Sequence, residues 1–122
     1  MQDPEKKTQQ RRQLKRWGTS MPCMILWGDR IIKGELANIS FRGAFIAAPS
    51  AIPPVDSAVT LIFHYESQIL LRATVDSEVV HTIEETEEAD GIRGFGLEFQ
   101  GPLKINRSKL LPLIEKLSGD SL

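Results

Sequence analysis

The chain has 122 residues with a net charge of −1 and 41% hydrophobic residues, which fits one soluble domain with a modest core. This balance gives no overall attraction for a polyanion, and no apolar run approaches the roughly 20 residues that cross a membrane. The polar N-terminus lacks the apolar stretch of a signal peptide, and the single Cys23 excludes an intramolecular disulfide. These features predict a cytoplasmic protein.

Charge is distributed unevenly along the chain. Residues 6–16 hold six of the 15 lysines and arginines, whereas residues 84–90 hold a cluster of glutamates and an aspartate. Residues 1–10 are polar and predict a flexible N-terminal tail. The basic segment 11–16, Arg-Arg-Gln-Leu-Lys-Arg, follows as a loop or one helical turn. The acidic segment lacks the regular spacing of a calcium loop and is predicted to be a solvated loop.

The first strong structural signal is a β-hairpin. Residues 17–27 and 30–39 are strand-like, and Gly28-Asp29 between them is a favoured two-residue turn. Pro22 inside the first strand predicts a sheet edge or a bulge, because proline cannot donate to a strand ladder. Gly34 interrupts the apolar alternation of the second strand and predicts a bulge.

Further strands follow the corner at residues 38–43. They are predicted at Ala44–Ala47, Ala58–Tyr65, Gln68–His81 and Ile92–Phe99. The third of these is either continuous or broken near Asp76-Ser77. A proline-rich loop separates the first two.

The C-terminal region, residues 103–118, contains a helical pattern. Leucine and isoleucine spacing predicts an amphipathic helix over Ser108–Leu117 with Ser108 as its N-cap, although Pro112 is awkward beyond the first turn. About six antiparallel strands and one terminal helix predict an all-β-dominated fold, a small barrel over residues 17–99 with a helix against it. One domain therefore spans residues 11–118.

The sequence does not favour an enzyme. His64 and His81 lie in strand patterns without a nucleophile placed beside them, and Cys23 is expected to be a small core residue. Cysteine and histidine do not occur at metal-ligand spacing, and no glycine-rich loop precedes a helix. Neither a catalytic site nor a metal site is predicted.

Two motifs flank the predicted hairpin. Arg12-x-x-x-Arg16 precedes it, and Asn38-x-Ser40-x-x-Gly43 forms the corner after it. Together they resemble the PilZ domain, the bacterial receptor module for cyclic di-GMP, whose motifs are RxxxR and D/N-x-S-x-x-G. The last strand, Gly94–Phe99, and the C-terminal helix are also similar to that family. The resemblance covers residues 11–117 and implies a six-stranded antiparallel barrel with a C-terminal helix.

The resemblance also implies a ligand and a set of contacts. Arg12 and Arg16 would clamp guanine edges or phosphates of cyclic di-GMP, since a guanidinium fork matches both groups. Arg11 would add a third contact and favour two intercalated ligand molecules over one. The implied ligand-binding residues are Arg11, Arg12, Arg16, Asn38, Ser40, Gly43 and Phe95, and no other cofactor is implied.

The roles within this set differ. Asn38 and Ser40 would exchange hydrogen bonds with guanine, and Gly43 would keep the corner close to the ligand. Phe95 is either a platform for purine stacking or a core aromatic residue, and the sequence supports both interpretations equally. Arg42, inside the second motif, is expected near the site, where a solvated side chain is favoured over a contact with the ligand.

The predicted mechanism is an order transition. The 11–16 loop would be loose without ligand and ordered with it, and so would change the surface offered to an unidentified downstream protein. Motility, biofilm formation or exopolysaccharide control are the implied settings, with neither nucleic acid nor membrane as a partner. One alternative is a small barrel that binds single-stranded nucleic acid through the basic arm and Phe63, Tyr65 or Phe95. Another is a ligand-independent adaptor with the same fold.

Overall fold

A computed structural model of the protein describes residues 16–66, 70–84 and 93–119. The strands in these ranges are β1 (Trp17–Trp27), β2 (Arg30–Ile39), β3 (Gly43–Ala47), β4 (Ala58–Glu66), β5 (Leu70–Ile83) and β6 (Gly94–Phe99), and helix α1 is Leu103–Gly119. The strands form a closed antiparallel barrel in the order β1-β2-β3-β6-β5-β4. The prediction of a six-stranded barrel with a C-terminal helix is confirmed.

The β1–β2 hairpin forms as the sequence predicted. Gly28 has a φ of 61°, the left-handed conformation that this turn requires of its first residue. The strands pair from Trp27 opposite Arg30 to Trp17 opposite Ile39. The chain therefore enters β1 and leaves β2 at the same end of the barrel, so Arg16, just before β1, lies next to the predicted corner.

The structure decides two local expectations for the hairpin. Of the edge and the bulge expected at Pro22, the bulge is supported: a register shift lies between Gly18 and Met21, next to Pro22, and the pairing of β1 with β4 begins only at Cys23. The bulge expected at Gly34 is wrong. Gly34 is in regular register opposite Cys23. A Cβ on Gly34 would lie 2.7 Å from Cγ2 of Ile46, so close packing, not a bulge, favours glycine there.

The sequence left open whether the fifth strand is continuous or broken near Asp76-Ser77. β5 is continuous through Asp76 and Ser77 and pairs with β4 without a shift. The Thr60 hydroxyl donates to Oδ1 of Asp76 at 3.2 Å, and the Ser77 hydroxyl donates to the Val75 carbonyl at 3.1 Å. These bonds satisfy the polar side chains that had suggested a break.

The barrel interior is a single apolar core. Phe95, Phe63 and Cys23 all belong to it, together with the inward residues of the six strands. Burial, with a smaller contribution from the Glu35 carboxylate, raises the pKa of the Cys23 thiol to about 12. The thiol is therefore protonated at neutral pH and packs as a small apolar group.

Helix α1 begins five residues earlier than predicted. Gly101, with a φ of 91°, turns the chain, and the Pro102 carbonyl accepts the first helical hydrogen bond from Asn106 N. Ser108 is therefore inside the helix and is not its N-cap. Pro112 is also internal, which removes one helical hydrogen bond. Burial of Leu110, Leu113 and Ile114 against the barrel offsets that loss. No helix in the described ranges has the length and apolar character to cross a membrane.

Candidate ligand-binding site

A cavity of about 370 Å³ lies between Arg16, the corner at residues 40–43 and helix α1. Arg16 and the turn 40–43 form one side of it, and the end of β6 forms another. Leu103 and Asn106 of α1 and Val80 of β5 complete the lining. Both sequence motifs therefore contribute residues to one concave site.

The two motifs are joined by a direct hydrogen bond. Nη1 of Arg16 donates to Oδ1 of Asn38 at 2.8 Å across 22 residues of chain. The antiparallel register creates this contact, because Gly18 lies opposite Asn38. A guanidinium carries five N–H donors, so one bond to Asn38 orients the Arg16 side chain and leaves other donors for a ligand.

Ser40 stabilises the corner itself. It is only 2% exposed, and its hydroxyl oxygen accepts hydrogen bonds from the backbone N–H groups of Arg42 and Gly43, both at 3.1 Å. A backbone bond from Ser40 N to the Gly43 carbonyl, at 2.8 Å, closes the same turn. The exchange of hydrogen bonds with guanine that was expected of Ser40 stays a prediction. The contribution of Ser40 that the structure shows is the shape of the turn.

Gly43 is required by strand packing. It lies opposite Glu98 in the β3–β6 pair, and a Cβ at this position would overlap the carbonyl oxygen of Leu97. The described geometry therefore explains this glycine by the close approach of β6. The expectation that Gly43 keeps the corner close to a ligand stays a prediction.

Phe41 connects the corner to both flanking elements. Its ring meets the Trp17 ring edge-to-face, with centroids 6.0 Å apart and planes at 79°. The Arg107 guanidinium lies over the Phe41 ring at 4.9 Å. Phe41 therefore packs the start of β1 and helix α1 against the turn, with contacts that are individually modest.

Several lining residues were outside the predicted set. Arg42, expected near the site but favoured as a solvated side chain, lines the cavity and adds a second arginine beside Arg16. Glu98 brings a carboxylate to the same cavity. Asn106 lies on the buried face of α1, where its Nδ2 donates to the Gln100 carbonyl at 2.8 Å. A polar residue in an otherwise apolar helical stripe was the signal in the sequence for Asn106.

Four residues of the predicted set are not among those that line the cavity. Arg11 and Arg12 lie outside the described residues. Asn38 is not a lining residue and is linked to the cavity through its hydrogen bond to Arg16. Phe95 has no exposed surface and packs in the core, so it cannot stack on a ligand in this structure. Of its two readings the core aromatic is correct, because in β6 its side chain points into the closed barrel. Phe63, offered as a base-stacking residue in the nucleic-acid alternative, is buried in the same core.

The chain belongs to the PilZ domain family: residues 10–116 match the PilZ domain. Members of this family are generally cyclic di-GMP receptors and are ligand-binding regulatory domains rather than enzymes. No curated protein is similar enough to the chain to count as a relative.

Solved structures show the same fold at low sequence identity. The inhibitor of motility MotI/DgrA of Bacillus subtilis is 17% identical with a TM-score of 0.67, over 85% of this chain and 50% of that chain. The chain thus spans about half the length of MotI/DgrA. The PilZ domain of CeSA from a cellulose-synthesizing bacterium is 15% identical with a TM-score of 0.57, over 88% of this chain and 99% of that chain.

Proposed function

We propose that this protein is a cyclic di-GMP receptor that binds the messenger in the cavity between the arm and the 38–43 corner. The observation that carries the proposal is the hydrogen bond from Arg16 to Asn38, which brings the two motifs together at the cavity. Family membership supports the choice of ligand.

The chemistry of the cavity suits this ligand. Cyclic di-GMP carries two phosphates and two guanines, and the guanidinium groups of Arg16 and Arg42 match phosphate oxygens or the O6 and N7 edge of guanine. The apolar side chains of Phe41 and Leu103 line the same cavity and suit the faces of the bases. Arg11 and Arg12 are proposed to close over the ligand from the arm.

The direct test is isothermal titration of the protein with cyclic di-GMP at low salt. We expect saturable binding, and the molar ratio will decide between one ligand and an intercalated pair. GMP is the matched probe, since it offers one guanine and one phosphate and should bind much more weakly. An absence of heat at high protein concentration would overturn the receptor function.

The same titration with a single-stranded oligonucleotide addresses the nucleic-acid alternative. Binding that is indifferent to guanine content and falls steeply with salt would favour that alternative. The burial of Phe63 and Phe95 removes two of the aromatic residues on which it depended. Failure of both ligands would leave the adaptor function.

We further propose that ligand binding orders the arm and thereby signals to a partner protein. A ligand shifts such an equilibrium only through higher affinity for the ordered state, and phosphates would neutralise the repulsion within the basic arm. We expect amide hydrogen exchange of residues 8–18 to slow when cyclic di-GMP is added. The β1–β2 turn at Gly28-Asp29, at the other end of the hairpin, is the internal control. Equal exchange rates of residues 8–18 with and without ligand would contradict this mechanism.

A further inference from the structure

We propose that Glu98 determines the preference of the site for guanine by accepting hydrogen bonds from the Watson–Crick edge of the base. This inference rests on the proposed function, because it assigns a further residue to the same cavity. Neither motif contains Glu98. It enters the site only because β3 and β6 are paired in the barrel.

The position of Glu98 is unusual for its strand. It is the one residue of β6 that is exposed, and it lines the cavity beside Gly43, which lies directly opposite and has no side chain to cover it. Its neighbour on the other side is Glu78 of β5. Like charges directly opposite each other in a sheet are unfavourable, so this pair does not stabilise the barrel.

The Glu98 carboxylate also has no compensating partner. Among the described residues none forms a hydrogen bond or ion pair with it, although Arg16 and Arg42 line the same cavity. A cavity that only had to hold phosphates would be better without this charge, because a carboxylate repels a dianionic ligand. Donor groups on the ligand would offset this repulsion.

Guanine provides such a donor pair. Its N1–H and N2–H groups lie side by side, and an ionised carboxylate has two acceptor oxygens and no donor. Adenine has an acceptor at N1 and no amino group at C2, and its N6 amino group can donate to only one carboxylate oxygen, so at least one oxygen of Glu98 would lack a donor. Hydrogen-bonding sites of this kind discriminate strongly, because the wrong partner leaves buried polar groups unsatisfied. Arginine contacts to phosphate give no such discrimination.

The test compares Glu98→Gln with the wild type by isothermal titration with cyclic di-GMP and cyclic di-AMP. An amide presents one acceptor and one donor, so it cannot pair with two adjacent N–H groups. We expect cyclic di-GMP to bind about tenfold or more weakly to the variant, within the usual range for hydrogen bonds to a charged group. The ratio of the dissociation constants for the two ligands should shrink by a similar factor.

The matched control is Glu78→Gln. It removes the same charge from the directly opposite position, but Glu78 does not line the cavity. We expect this variant to bind cyclic di-GMP as tightly as the wild type or up to about threefold more tightly, because only repulsion is relieved. Melting temperatures without ligand will show that both variants fold.

The two interpretations of Glu98 predict different effects of Glu98→Gln on the affinity for cyclic di-GMP. If Glu98 is only a bystander, Glu98→Gln will bind cyclic di-GMP as tightly as Glu78→Gln does, and the proposal is overturned. An unchanged preference for guanine over adenine would overturn it as well. A wild-type protein that does not bind cyclic di-GMP would instead refute the receptor function.

Discussion

Gly43→Ala is expected to destabilise the protein by about 3 kcal/mol, the upper range for overpacking a well-packed site. The added methyl group would overlap the carbonyl oxygen of Leu97, which is backbone and cannot rotate away. Relief requires β3 and β6 to separate at the pair formed by Gly43 and Glu98. Urea unfolding of the variant and the wild type measures the difference.

Gly18→Ala is the matched control for this substitution. Gly18 is also in the barrel, in β1, but a Cβ there would meet nothing within 4 Å. We expect its free energy of unfolding to remain within about 0.5 kcal/mol of the wild type. If Gly43→Ala were as stable as Gly18→Ala and lost only ligand binding, the glycine would serve the ligand and the packing explanation would be wrong.

Arg16→Ala is expected to weaken cyclic di-GMP binding by about 30- to 100-fold, which corresponds to about 2–3 kcal/mol. The side chain is exposed and its one described hydrogen bond is to Asn38, so its loss should change the melting temperature little. Isothermal titration measures the affinity. Arg16→Lys should recover only part of it, because an ammonium group lacks the bidentate fork.

Two further variants show whether this loss is specific. Arg30→Ala removes another exposed arginine, which stacks at 5.0 Å on Trp27 at the opposite end of the hairpin, and should leave binding unchanged. Asn38→Ala should weaken binding less than Arg16→Ala does, because Arg16 keeps its charge but loses its orientation. The double variant should then be little worse than Arg16→Ala, since the two residues act as a unit. Full affinity in Arg16→Ala would contradict the proposed site.

Turn residues and the alternation of apolar and polar residues predicted most of the barrel strands. The Gly28-Asp29 turn and the alternation of its flanking strands define the first hairpin, since turn geometry sets the register. The start of α1 was missed because it depends on contacts beyond the helix. Gly101 turns the chain, and Asn106 is attached to the end of β6 through the Gln100 carbonyl.

For the predicted site residues, the sequence indicated position in the chain better than it indicated side-chain contacts. Arg16 and Asn38 were correctly brought together, because two paired strands of nearly equal length return the chain to its starting end. The bonds of Ser40 to the turn backbone were not predicted, since a serine in a turn can bond either the backbone or a ligand and the sequence does not distinguish them. The position of Phe95 was open for a similar reason, because alternation does not say which face of a strand lies inside a barrel.

The strands, the family and the RxxxR and NxSxxG motifs can be predicted from the sequence, because they depend on residue types at short spacing along the chain. The set of residues that share the cavity could not be predicted in this way. Arg42, Glu98 and Asn106 reach it from a turn, a strand and a helix, and their juxtaposition follows from barrel closure and strand register. Those depend on packing between segments distant in sequence, which no short spacing encodes.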